Sequence, residues 1–236
     1  NLFLTPDARQ YLSEHGTLIL KDSSANKCGV ICSSYEIAAC MLLSEEQFLS
    51  IKPVFVAQVI DKLRDLARRE VELLTRLHRQ QPQVPVPDLS IRLSRVMIRT
   101  ADAIEAAIEQ VPESQKHLLQ KLVQEHLPEV LVDMVGDEIW TRLPQTYLNW
   151  VMAKSLAARI AYRDGIDYLE TMPASEIAGL AVQYLALELE RKQLASEVAN
   201  SNLPDRKRIV EILDSAGIIS TISPDFVEPE HDEQTE

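Results

Sequence analysis

A chain of 236 residues, 46% apolar and 25% charged, carries enough apolar side chains for one large domain or two small ones. Its net charge of −12 excludes the basic surface that nucleic acid or an anionic membrane requires. No apolar run reaches the roughly 18 residues of a membrane span, and no signal-peptide pattern is present.

The chain opens on Asn1 rather than a methionine, so further polypeptide is expected ahead of it. Thr5-Pro6-Asp7 is a helix start, with a hydroxyl cap, a proline suited to the first turn and an acid that complements the dipole; Gly16 closes that helix. Thr17–Leu20 is the best candidate strand, and Lys21–Lys27 is polar and loop-like. Residues 30–43 are apolar and helical in composition. Residues 54–80 repeat at the helical period, with Val56, Val59, Ile60, Leu63, Leu66, Ala67, Leu74 and Leu77 on one side.

Pro82, Pro85 and Pro87 predict an extended linker. Helices are then expected over about 88–110, 113–126 and 128–135, from Pro144 to about Tyr162, from Pro173 through Leu194, and from Pro204 to Gly217. Residues 218–222 read as a short strand or extended chain. The last twelve residues hold six acids and no base, half the net charge, and are expected to be a solvated, disordered tail.

Little in this pattern carries chemistry by itself. Cys28, Cys32 and Cys40 lack the second pair of ligands that a zinc site needs, and the five histidines are scattered, so no metal site is expected. Free, buried thiols in a reducing, cytoplasmic setting fit better. The pairs Glu45–Glu46 and Asp137–Glu138 sit at expected helix starts, and Trp140, Tyr147 and Trp150 lie at the spacing of a helix contact.

Two stretches say more: Asn1-Leu2-Phe3-Leu4-Thr5-Pro6-Asp7-Ala8-Arg9, and the run from Lys21-Asp22-Ser23-Ser24-Ala25-Asn26 through Gly29-Val30-Ile31-Cys32-Ser33-Ser34-Tyr35-Glu36. Together they resemble the end of the cofactor domain in the glutamate, leucine, phenylalanine and valine dehydrogenase superfamily. The wording is closest to the large NAD-specific glutamate dehydrogenases. The likeness is close over residues 1 to about 45.

The resemblance implies roles at matching positions. Asn1, Asn26 and Gly29 match positions beside the NAD cofactor, and an amide both donates and accepts, as a carboxamide or ribose hydroxyl needs. Val30 and Ser33 match positions that border the amino-acid substrate and hold its distal carboxylate. The chain departs from the pattern at Lys27 and Cys28, which stand where the family has Ala and the first of two glycines. The family's catalytic lysine and aspartate and its glycine-rich phosphate turn lie upstream of the matched stretch. No catalytic residue is therefore expected in this chain, which alone is expected to be inactive.

The fold expected is mainly α: the C-terminal remnant of a Rossmann-like α/β NAD-binding domain (residues 1–80), then an α-helical extension (88–222), then the acidic tail (223–236). The intact protein is expected to oxidise L-glutamate to 2-oxoglutarate and ammonia with NAD, as a cytoplasmic homo-oligomer in which this piece packs on the rest of the same polypeptide. The alternatives are another amino-acid dehydrogenase of the superfamily, or a non-catalytic helical interaction or oligomerisation domain.

Overall fold

A computed structural model describes residues 3–218. Asn1, most of the 218–222 stretch and the acidic tail lie outside the described residues. Twelve α-helices are described: α1 Pro6–Glu14, α2 Asp22–Ala25, α3 Lys27–Leu42, α4 Glu45–Gln80, α5 Val86–Ala107, α6 Lys116–His126, α7 Glu129–Val135, α8 Ile139–Arg142, α9 Gln145–Asp164, α10 Asp167–Thr171, α11 Ala174–Ala199 and α12 Arg206–Ser215.

Local chemistry explains most helix ends. The Thr5 hydroxyl accepts from the Ala8 N–H, and Gly16 leaves α1 at φ +82°, a conformation that suits glycine. Ser44 and Gln47 form a reciprocal capping box that starts α4. Prolines 85, 128, 144 and 173 stand immediately before α5, α7, α9 and α11, where no intrahelical N–H is needed. Near the far end, a Cβ on Gly217 would lie 2.6 Å from Asp164 Oδ1, so glycine there lets the chain close onto the end of α9.

Five expectations are corrected. Thr17–Leu20 is not a strand: among the described residues there is none, and a single extended segment has no partner for its ladder bonds. Lys21–Lys27 is not a loop, because Asp22–Ala25 forms a helical turn that runs almost directly into α3. The helix read from residue 54 begins at Glu45 and passes through Pro53; its capped start and the buried Ile51 and Phe55 on either side outweigh one lost backbone bond. Its buried stripe is Ile51, Phe55, Val59, Glu70, Leu73, Leu74 and Leu77, whereas Val56 and Ile60 are exposed. Of the three thiols, Cys40 is exposed and the other two are only half-buried.

The core centres on α5 against α9, flanked by α6 and α11, with α3 and α4 laid alongside. Leu89, Leu93, Leu122, Leu156, Ile160, Ile177 and Tyr184 are almost completely buried. One continuous apolar cluster runs from Tyr35 to Ile218, across the Pro82–Pro87 connection.

Charged ties lock the helices together. Arg92 holds Asp167 and Glu170, and Arg99 donates to the carbonyls of Leu169, Glu170 and Met172 at the end of α10, where a cation suits the helix dipole. The buried Glu188 of α11 receives Arg159 at 2.6 Å and Arg163 at 3.3 Å from α9. The buried Glu70 of α4 accepts from Lys27 Nζ of α3 at 2.6 Å and from the Tyr162 hydroxyl of α9 at 3.0 Å.

Two outcomes follow. Lys27→Met strands the Glu70 carboxylate; because Lys27 is about one-third exposed, the expected loss is about 2 kcal/mol rather than the full cost for a buried pair, and Lys27→Met/Glu70→Leu recovers most of it. Denaturant titration checks this, and an unchanged single variant would contradict it. The second concerns His126, whose pKa burial and the nearby Lys62 push down to about 4. Its unfolded-state pKa near 6.5 is higher, so the unfolded chain takes up the proton first. Stability is complete above about pH 6.5 and falls as pH drops toward 4, by about 2 kcal/mol at pH 5 from this group. His126→Gln should flatten the profile between pH 6.5 and 5; an unchanged slope would contradict it.

Candidate functional site

The junction of α2 and α3 sets the geometry of the expected site. Asn26 is both the last cap of α2 and the first of α3. Its backbone, at φ −96° and ψ 0°, is already helical rather than extended, so its amide makes no capping bond. The side chain stands exposed at the head of α3. Gly29, Val30 and Ser33 follow at the third, fourth and seventh positions, the spacing that keeps residues on one face of a helix.

That face is open. Val30 is 76% exposed, and the exposed Ile37 continues the stripe. Ser33 donates only to the Gly29 carbonyl one turn back, at 3.3 Å. A Cβ built on Gly29 would meet nothing within 4 Å, and the residue has no left-handed backbone. Nothing in this chain therefore requires glycine at position 29. Four of the five residues singled out from the sequence thus share one solvent-facing stripe, and Asn1 lies outside the described residues.

The opposite side of α3 is held from behind. Lys27, which departs from the family pattern, reaches Glu70 and comes within 3.4 Å of the Tyr162 hydroxyl. Ser24 shares a 2.9 Å hydrogen bond with Ser90 of α5, and the Cys28 thiol points at the Leu63 carbonyl. Tyr147 of α9 donates to the Ser34 carbonyl at 3.3 Å. Burial and the adjacent Glu36 carboxylate, toward which the Cys32 thiol points at 3.7 Å, raise its pKa and so favour the thiol over the thiolate. Glu70 and Tyr162 do not emerge from motif reasoning. The signal that could have found Glu70 is a carboxylate at a core-facing position on α4, between Leu66 and Leu73, which demands a buried partner.

Ahead of α2 the chain leaves several apolar side chains exposed. α1 buries no residue, and Phe3, Tyr11, Leu18 and Leu20 are 92%, 60%, 73% and 48% exposed. Among the described residues no three His, Cys, Asp or Glu side chains gather as a metal ion would need, and no helix is long and apolar enough to cross a membrane.

Residues 1–71, which take in α1 to α3 and most of α4, match the Glutamate/Leucine/Phenylalanine/Valine dehydrogenase family. The chain is 31% identical to glutamate dehydrogenase 2 of Dictyostelium discoideum over 73% of its length, and 30% identical to the NAD-specific glutamate dehydrogenase of Neurospora crassa over 70%. It is 28% identical to the NAD-specific glutamate dehydrogenase of Saccharomyces cerevisiae over 71%. The chain spans only 18%, 17% and 16% of the length of these three relatives. No solved structure matches it. Over most of its length the chain is thus similar to one stretch of the large NAD-specific glutamate dehydrogenases, and its first 71 residues fall within the glutamate/leucine/phenylalanine/valine dehydrogenase family.

Proposed function

We propose that this chain is the C-terminal part of an NAD-dependent glutamate dehydrogenase and supplies one lip of its cleft. The observation that carries this reading is the exposed stripe of Asn26, Gly29, Val30 and Ser33 on α3, a helix held from behind through Lys27 and Glu70. The intact protein would oxidise L-glutamate to 2-oxoglutarate and ammonia, NAD accepting the hydride.

The residues present suit the cofactor. The Asn26 amide has no capping bond to give up, and the space over Gly29 admits a flat ring close to the backbone. Asn26 would orient the carboxamide or ribose, Val30 would border the substrate's methylenes, and the Ser33 hydroxyl would turn from the Gly29 carbonyl to the distal carboxylate. Asn1 would stand beside Asn26 at the nicotinamide. Holding both reactants against a fixed helix is what hydride transfer needs from this side of the cleft.

The rest of the division follows. Residues 1–80 would complete the NAD-binding domain, with the unpaired, exposed Leu18–Leu20 segment adding to the sheet of that Rossmann-like unit. Residues 88–222 would form the helical extension. The exposed Leu194, Leu203 and Ile212 on its far side support a further interface, which we assign to a homo-oligomer, and three free thiols support a cytoplasmic setting.

Gly29→Ala separates fold from function. In this chain the change is expected to be neutral or to stabilise by up to about 1 kcal/mol, because alanine favours a helix and the added Cβ meets nothing. In the full-length parent the same change, and Asn26→Ala, should sharply lower NAD-linked glutamate oxidation, followed by absorbance of the reduced nicotinamide. Full activity in both variants, or a folded parent without activity on glutamate, would overturn the proposal and leave the helical interaction module as the better account.

A further inference from the structure

The helix α4 is apolar on two sides. One side is the buried stripe already described. The other is a row of exposed residues, Leu49, Pro53, Val56, Ile60, Ala67 and Val71, with the half-buried Leu63 filling its one gap. At 3.6 residues per turn the six fall within about 60° of arc, along about 33 Å of helix. Exposed charges bound the row, Lys52 on one side and Glu46 and Arg64 on the other. An apolar strip of that length left in water favours association, and a helix apolar on two sides is one covered on two sides.

The limits of the row identify its occupant. Beyond Val71 the outer positions of α4 turn polar, with Glu72, Thr75, Arg76 and Arg79 exposed. The match to the dehydrogenase family stops at that same residue, 71. Among the described residues, most of the exposed large apolar side chains likewise lie between Phe3 and Val71. The row therefore belongs to the part of the chain that matches the family, and relatives of which this chain spans only 16–18% hold ample further polypeptide to cover it. Leu20 shares with Ala67 and Val71 a hollow of about 220 Å³, which joins the row to the exposed segment ahead of α2.

We propose that one amphipathic helix of the polypeptide ahead of residue 1 lies along this row, its own apolar residues seated between Leu49, Val56, Ile60 and Val71. A strip this narrow suits a single helix, whereas a sheet packs on a broader face. The small Ala67 and the compact Pro53 are low points that receive larger side chains of the partner. The inference rests on the reading of this chain as part of a longer dehydrogenase polypeptide, and adds to it the partner of α4.

The test uses the full-length parent carrying, one at a time, Val56→Cys, Ile60→Cys and Glu72→Cys. Each is labelled with a maleimide, and the rate at each site, read from its own peptide by mass spectrometry, is taken relative to the rate in denaturant. Positions 56 and 60 should react at least about tenfold more slowly than position 72. A photo-crosslinker carried on the thiol at position 60 should attach to one peptide ahead of residue 1, at sites three or four residues apart. Equal rates at the three positions in a folded parent, or cross-links to a second copy of α4 or to the helical extension, would overturn the proposal. Glutamate oxidation by the unsubstituted parent keeps the two readings apart. A folded, inactive parent with positions 56 and 60 protected overturns the dehydrogenase reading and supports this one; an active parent with both positions freely labelled overturns this one alone.

Discussion

The Glu70 carboxylate fixes where α3 sits. It is buried on α4, and its two donors come from α3 and α9, so three helices meet at one carboxylate oxygen, Glu70 Oε2. A buried carboxylate strongly disfavours any arrangement that removes its partners, which gives the contact directional force that apolar packing lacks. Burial, and after it the Glu70 carboxylate, push the Tyr162 hydroxyl pKa upward, so that proton stays on and remains available to Glu70. With α3 pinned in this way, its other face is presented outward in a defined orientation.

The consequence is a helix with two distinct sides. One carries the exposed Asn26, Gly29, Val30 and Ser33, with Val30 at the rim of a neighbouring cavity. The other is built into the helical body through Lys27, Ser34 and Tyr35, and borders the same cavity. Lys27 has a structural role of its own: its ammonium ties the first turn of α3 to Glu70 of α4 and approaches the Tyr162 hydroxyl of α9. The helices on both sides of the Pro82–Pro87 connection share one apolar core.

Many of the helices were legible because prolines and caps punctuate them: Thr5, Pro144 and Pro173 each mark a start within a residue or two. Asn26, Gly29, Val30 and Ser33 were singled out by resemblance, but with residues 21–27 read as a loop their common face on α3 was not legible. The misread parts have a shared cause, dependence on long-range partners. Thr17–Leu20 has the composition of a strand, but a strand exists only with a neighbour to bond. The apolar residues of α4 outnumber those it buries, and only the positions of α5, α7 and α9 decide that Val56 and Ile60 face outward. Glu70 and Glu188 were invisible as anchors because their partners lie 43 and 29 residues away.

The central claim, that α1 to α3 present a face completed by upstream polypeptide, is tested most directly by amide hydrogen exchange at Leu18–Lys21 in this chain and in the full-length parent. In the chain alone these amides make no backbone bond among the described residues and should exchange rapidly. In the parent they should be strongly protected, as members of a sheet. Equally rapid exchange in a folded parent would mean that nothing docks on this face, and the lip of the cleft would have to be sought elsewhere.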